Sequence, residues 1–186
     1  MRTTSTGRFR GTSLETGASP SVELQQTADG YAVSFGDRRL TGRQPRSSMR
    51  RRLPDPIEAQ TAYLIVSPLF GYGLSRFLRS LPPRTVAIVV EHEPALRDLW
   101  KHSDSEVRST PATVLCGSSS PDSVAADLEP LLRRYGPRRI VRINVSGGSS
   151  LNRTVYDTVE RRLHEELKRF WTNRATEVLL GRRWMT

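Results

Sequence analysis

The sequence predicts an α/β fold: a Rossmann-like parallel sheet with flanking helices, preceded by a small β-hairpin region. Three observations predict it. Apolar residues alternate with polar ones on either side of Thr27-Ala28-Asp29-Gly30, the pattern of a hairpin. From Thr61 onward, short continuous apolar runs replace the alternation, as in strands buried on both faces. Between those runs apolar residues recur at helical spacing, and strands that alternate with helices imply a parallel sheet.

The elements follow in order. Residues 1–20 are polar, rich in Ser, Thr and Gly, and are expected to form a disordered tail. Residues 21–60 are expected to be the hairpin and a connector. Val22 and Leu24 lie on the first strand, Tyr31, Val33 and Phe35 on the second, and a turn at Gly36-Asp37 leads to a short third strand at Arg38–Leu40. Pro45, Pro54, Pro56 and the run Arg50-Arg51-Arg52 mark the connector, which holds a short helix. Residues 61–150 form the Rossmann-like part. Ala62–Val66 and Val86–Val90 are its clearest strands, separated by a helix carrying Leu74, Phe77, Leu78 and Leu81. Ala95–Trp100 is a helix after Pro94, and Thr113–Cys116 a weaker strand. Ser120-Pro121-Asp122 starts the next helix, with Ser as N-cap, Pro at the first position and Asp in the first turn. Ile140–Val145 is a strand in which Arg142 implies a less buried position. Residues 151–186 are a long helix with Val155, Val159, Leu163, Leu167 and Trp171 on one stripe, leading toward an absent C-terminal domain.

Composition narrows the function. In 186 residues there are 29 Lys+Arg against 19 Asp+Glu, a net charge of +10. Only Lys101 and Lys168 are lysines, an imbalance typical of a GC-rich genome. The arginine pairs Arg133-Arg134, Arg138-Arg139 and Arg182-Arg183, like Arg50–Arg52, lack interleaved aromatics, so no specific nucleic-acid partner is expected. One cysteine, Cys116, excludes an internal disulfide and a cysteine-rich zinc site, and His92, His102 and His164 have no ligand spacing, so no metal site is expected. The absence of a long apolar run or an apolar leader implies no membrane association and a cytoplasmic location. Phe170, Trp171, Val178, Leu179, Leu180, Trp184 and Met185 make an apolar end that calls for a partner: this domain's own body, another subunit, or a following domain.

In an open α/β sheet, ligands bind outside the carboxyl ends of the strands. The first strand-to-helix loop contains Gly71, Gly73 and Ser75, which would let a ligand approach the backbone and offer a helix N-terminus to an anion. The third glycine of a full dinucleotide fingerprint is missing, because Arg76 takes its place. Glu91 ends the second strand twenty residues after Gly71, where an acid can accept hydrogen bonds from ribose hydroxyls or simply favour the next helix. The fourth strand runs into Ser146-Gly147-Gly148-Ser149-Ser150, a candidate phosphate or sugar cradle, with Ser149 or Ser150 alternatively capping the long helix. The candidate ligand residues are therefore Gly71, Gly73, Ser75, Glu91, Ser146, Gly147 and Gly148, with no catalytic residue and no bound cofactor expected beyond a possible nucleotide or nucleotide sugar.

The stretch Leu69-Phe70-Gly71-Tyr72-Gly73-Leu74-Ser75, followed by Val89-Val90-Glu91-His92-Glu93-Pro94, resembles the N-terminal domain of the motility accessory factor (Maf) flagellin glycosyltransferases, which are grouped with the 6-hydroxymethylpterin diphosphokinase MptE-like proteins. The spirochaete-type branch is most similar. The terminal Phe170–Thr176 and Gly181–Trp184 segments resemble the stretch leading into that family's catalytic domain. The likeness covers roughly residues 21–186, with departures at Ser75, Arg76 and Leu40–Leu53. It implies a non-catalytic domain whose parent transfers a nonulosonic-type sugar from a nucleotide donor to flagellin. No transferase residue of the family has a matching position in this chain. Two rival readings stand beside it: a small S-adenosylmethionine-dependent methyltransferase using Gly71, Gly73 and Glu91, and a basic nucleic-acid-binding protein.

Overall fold

The computed structural model describes residues 20–101, 113–116 and 120–183. The expected disordered tail and the terminal Trp184 and Met185 lie outside these residues. The chain begins with an antiparallel three-stranded sheet of β1 (Val22–Thr27), β2 (Gly30–Phe35) and β3 (Arg38–Arg39), in that spatial order. Thr27 pairs with Gly30, so Ala28 and Asp29 make a two-residue turn. The connector holds helix α1 (Pro45–Arg52), with Pro in its first turn, where a missing N–H costs nothing.

A parallel sheet follows. Its strands are β4 (Thr61–Val66), β5 (Val86–Val90), β6 (Thr113–Cys116) and β7 (Arg139–Asn144), in the spatial order β6-β5-β4-β7. Helices α2 (Leu74–Arg79), α3 (Pro94–Lys101), α4 (Pro121–Tyr135) and α5 (Arg153–Arg183) follow the strands in turn. The two strands at the centre are the two continuous apolar runs, and every residue of both is buried. Their period of two sorts the core. Ala62, Leu64 and Val66 join Val86, Ile88 and Val90 on the face covered by Val124, Leu131 and Leu132 of α4 and Tyr156, Val159, Leu163 and Leu167 of α5. Tyr63, Ile65, Ala87 and Val89 face the other way, onto Leu74, Phe77 and Leu78 of α2 and Trp100 of α3.

Strand β7 lies at an edge, and this explains Arg142. The guanidinium lies 2.5 Å from Asp157 and 3.2 Å from Glu160 of α5, so a charge inside an apolar strand finds carboxylates on the helix beside it. Those partners hold it above the ordinary arginine value, against the opposing effect of burial.

The long helix corrects one expectation and narrows another. Neither Ser149 nor Ser150 caps it. Both belong to a 3-10 turn, Gly147–Ser150, whose own cap is Ser146, and α5 begins only at Arg153. The apolar end is also partly spent on this domain. Phe170 and Trp171 pack on the α4–α5 core, and the Trp171 indole N–H donates to the Pro137 carbonyl at 2.8 Å. Beyond Trp171 the helix runs off the core, and Val178 is 51% exposed.

This division predicts unequal substitutions. Trp171→Ala removes an indole and a hydrogen bond and should destabilise the chain by about 2–3 kcal/mol. Val178→Ala should change stability by less than about 0.5 kcal/mol. Urea denaturation midpoints of the two variants measure the difference; equal midpoints would place the end of α5 in the core instead.

Candidate functional site

The strand order reverses at β4: β5 lies on one side of it and β7 on the other. That makes the loops after β4 and β7 the flanks of a topological switch point, the usual position for a ligand crevice. Ser67 is the first residue after β4, fully buried, with φ 51°. Its hydroxyl donates to Glu91 Oε2 at 2.9 Å. Tyr156 of α5 donates to Glu91 Oε1 at 3.0 Å, and the Glu93 N–H reaches the same oxygen at 3.2 Å. From the β7 side, Ser146 donates to the Ser67 carbonyl at 2.8 Å, and the Gly148 N–H donates to Ser146 Oγ at 3.1 Å. The His92 N–H donates to the Tyr156 oxygen at 3.2 Å. Three strand ends and α5 are thus tied through one carboxylate that is only 4% exposed.

Burial pushes the Glu91 carboxyl up to about 7, although the bonds from Ser67, the Glu93 amide and Tyr156 pull it back toward the ionised form. The Tyr156 phenol is raised as well, first by burial and then by the charge of Glu91.

Of the residues the sequence singles out, Glu91, Ser146 and Gly148 therefore come together, joined by Ser67. A Cβ on Gly148 would fall 2.0 Å from Ser67 Oγ, so the glycine makes room for the network. Gly147 serves a different contact: its N–H donates to the Leu40 carbonyl at 2.7 Å, and a Cβ there would lie 3.0 Å from that oxygen. Gly71 and Gly73 have φ of +63° and +87°, and both are approached by protein atoms. A Cβ on Gly71 would lie 2.5 Å from the Trp100 ring, and one on Gly73 would lie 2.7 Å from Arg50 Cγ of α1. Ser75 sits half-buried in the first turn of α2, next to the exposed Arg76.

The carboxyl edge of the sheet is in fact a seat for the hairpin module. Val33 and Phe35 of β2, Leu40 just after β3, and Met49 of α1 form one core with Leu69 of the glycine loop and Leu96 and Leu99 of α3. The Tyr72 hydroxyl accepts the Tyr31 N–H at 3.0 Å, and Asp29 accepts the Ser47 N–H of α1 at 2.8 Å. Sequence reasoning missed Tyr156, which takes the place on the α5 stripe expected for Val155. The signal was present: Tyr156 lies three residues before Val159, on the same helix face. Two surface depressions lie away from this edge, along α4 and α5 around Arg133, Phe170 and Arg174 and between Arg138 and Trp171. Among the described residues no group of three His, Cys, Asp or Glu side chains could hold a metal ion, and no helix is long and apolar enough to cross a membrane.

No family model matches the chain, and no solved structure matches it. Over 164 residues, 87% of this chain, it is 23% identical to an uncharacterized protein of Treponema pallidum (strain Nichols). That match takes in 28% of the longer protein, so the chain spans under a third of the length of the curated relative it resembles.

Two measurements follow from this geometry. Glu91 carries a raised folded-state pKa, so the native state binds more protons than the unfolded state between the ordinary carboxyl value of 4.5 and about 7. Stability is greatest below that window and falls as pH rises through it, by up to about 3 kcal/mol. Glu91→Gln keeps the shape without the charge and should flatten this dependence, becoming the more stable form at pH about 8. Urea midpoints across that range decide it, and parallel curves for the two proteins would be the contrary result. Gly71→Ala forces a Cβ onto Trp100 at an unfavourable φ and should cost about 1–3 kcal/mol whatever ligand is present; an unchanged melting temperature would contradict that.

Proposed function

We propose that this chain is the N-terminal, non-catalytic domain of a Maf/MptE-like protein, acting in the cytoplasm in support of nonulosonic-type sugar transfer to flagellin. The observation that carries the reading is the joint between the two modules. The glycine loop and the Glu91-His92-Glu93-Pro94 segment, which carry the resemblance, meet at one sheet edge and there seat the hairpin. They are used as a scaffold uses them, with the Glu91 oxygens bonded inside the protein and the glycines approached by Trp100 and Arg50. The order β6-β5-β4-β7 is that of the first four strands of a doubly wound dinucleotide-binding sheet, which supports describing the fold as Rossmann-like. The longer relative in Treponema pallidum, a spirochaete, is in keeping with a domain that works within a larger protein of that branch.

The methyltransferase alternative requires Glu91 to meet ribose hydroxyls, and in this geometry its oxygens face Ser67, Tyr156 and the Glu93 amide. Deleting the gene in its host and weighing intact flagellin tests the proposal directly. The expected result is flagellin lighter by its glycan. Flagellin of unchanged mass would overturn the reading. Calorimetry supplies a second readout: no heat is expected with S-adenosylmethionine, and binding that is lost in Glu91→Gln would favour the methyltransferase.

A further inference from the structure

The arginines of this chain are not all alike in their surroundings. Along α5, Arg161, Arg162 and Arg169 each have a carboxylate within reach: Glu165, Asp122 and Glu166. On β7, Arg139 is paired with Glu58 and Arg142 with Asp157. Helix α1 differs. Arg46, Arg50, Arg51 and Arg52 are all exposed, and among the described residues none is joined to a carboxylate. The nearby acid Asp29 is occupied by the N-terminus of the helix, where it accepts from the Ser47 N–H and the Ser47 hydroxyl. Arg38 and Arg39 of β3 are exposed on the same module.

The second observation is a row of rings at the end of this helix. The Arg46 guanidinium lies over Tyr72, 5.3 Å from the ring centre. Tyr72 stacks on Phe70 at 5.7 Å, and Phe70 meets Tyr31 at 5.6 Å. Tyr31 is 42% exposed. Phe70 and Tyr72 are near neighbours in the glycine loop, but Tyr31 and the basic run are far from them in sequence, and the hairpin docking on that loop places them side by side.

We infer that the outer surface of the hairpin module binds single-stranded nucleic acid without sequence preference, with the α1 arginines on the phosphates and Tyr31 as a stacking platform. Guanidinium groups match phosphate geometry, and an exposed ring accepts the face of any base. An anionic membrane fits less well. The apolar side chain of α1, Met49, is turned into the protein's own core, and the exposed strand β1 offers Glu23, Gln25 and Gln26 around its one leucine, Leu24. The inference does not depend on the family reading.

The test uses the full chain and a fluorescent oligo-thymidylate of about twenty nucleotides, with heparin and phosphatidylserine vesicles as competing polyanions. Binding should be measurable at low salt and fall steeply as salt rises. Each phosphate contact on a single strand contributes about 0.7 to the logarithmic salt slope, so Arg46→Gln/Arg51→Gln should lower the slope by about 1.4 and weaken binding about tenfold. Tyr31→Ala should weaken the oligonucleotide about fivefold while leaving heparin and the salt slope unchanged. The ion-paired control Arg161→Gln/Arg162→Gln should match wild type. Equal losses in the α1 and α5 variants, a Tyr31→Ala loss shared by heparin, or vesicles that bind in preference to the oligonucleotide would each overturn the assignment.

Discussion

Glu91 leaves the end of β5 pointing into a space already enclosed by Ser67, Ser146 and Tyr156. A carboxylate at 4% exposure is costly unless it is both bonded and free to take a proton, and this one has both outlets. Its partners come from three separate stretches of chain. Ser67 closes β4, the Glu93 amide follows β5, and Tyr156 stands on α5, while Ser146 after β7 holds Ser67 in turn. The β4 and β7 loops therefore hold a fixed spacing at the switch point. Removing any one partner would leave a buried polar group unsatisfied, at about 1–3 kcal/mol, which exceeds what the bond itself contributes net.

That fixed edge is what the hairpin module needs. A three-stranded antiparallel sheet with two-residue β3 has little core of its own. It becomes stable by burying one face of β2 and the inner side of α1 on the loops above the parallel strands. The glycines set how close it can come. Gly147 admits the Leu40 backbone and Gly73 admits Arg50, while Gly71 lets Trp100 of α3 pack against the same loop. Larger side chains at these positions would lift the module off its seat or strain the loop, and two of the three positions also need a positive φ.

The sequence made the sheet legible because buried parallel strands have a signature of their own. Ala62–Val66 and Val86–Val90 read as continuous apolar runs since both faces are covered. Alternation around Asp29-Gly30 made the hairpin equally plain, and Arg142 marked its strand as less buried. The joint between the modules was not legible. A glycine that spares room for a ligand and one that spares room for a tryptophan look identical in sequence, and Trp100 lies far from Gly71 along the chain. Nor does an acid at the end of a strand declare whether it faces a sugar or a buried tyrosine. Tyr156 could be read off the α5 face, but its hydroxyl only acquires a role once β5 and α5 are in place. The same limit hid the stacked rings, because Tyr31 is brought to Phe70 and Tyr72 by docking alone.

Magnitudes decide how the seat bears on ligand binding. A small molecule reaching Gly71 would have to displace Trp100 from the core on the α2 face of the sheet, and one reaching Gly73 would have to displace Arg50 and, with α1, the core of Val33, Phe35, Leu40 and Met49. Burying one such side chain contributes roughly 1.5–3 kcal/mol, so these four alone come to about 6–12. A ligand with micromolar affinity has about 8 kcal/mol to spend in total. Opening the seat would consume most or all of it. A binding function in this chain is therefore better served by a surface that leaves the seat closed. The exposed side of the hairpin module is such a surface. The buried Glu91 network keeps it in place, and the rings brought together by docking stand at its edge.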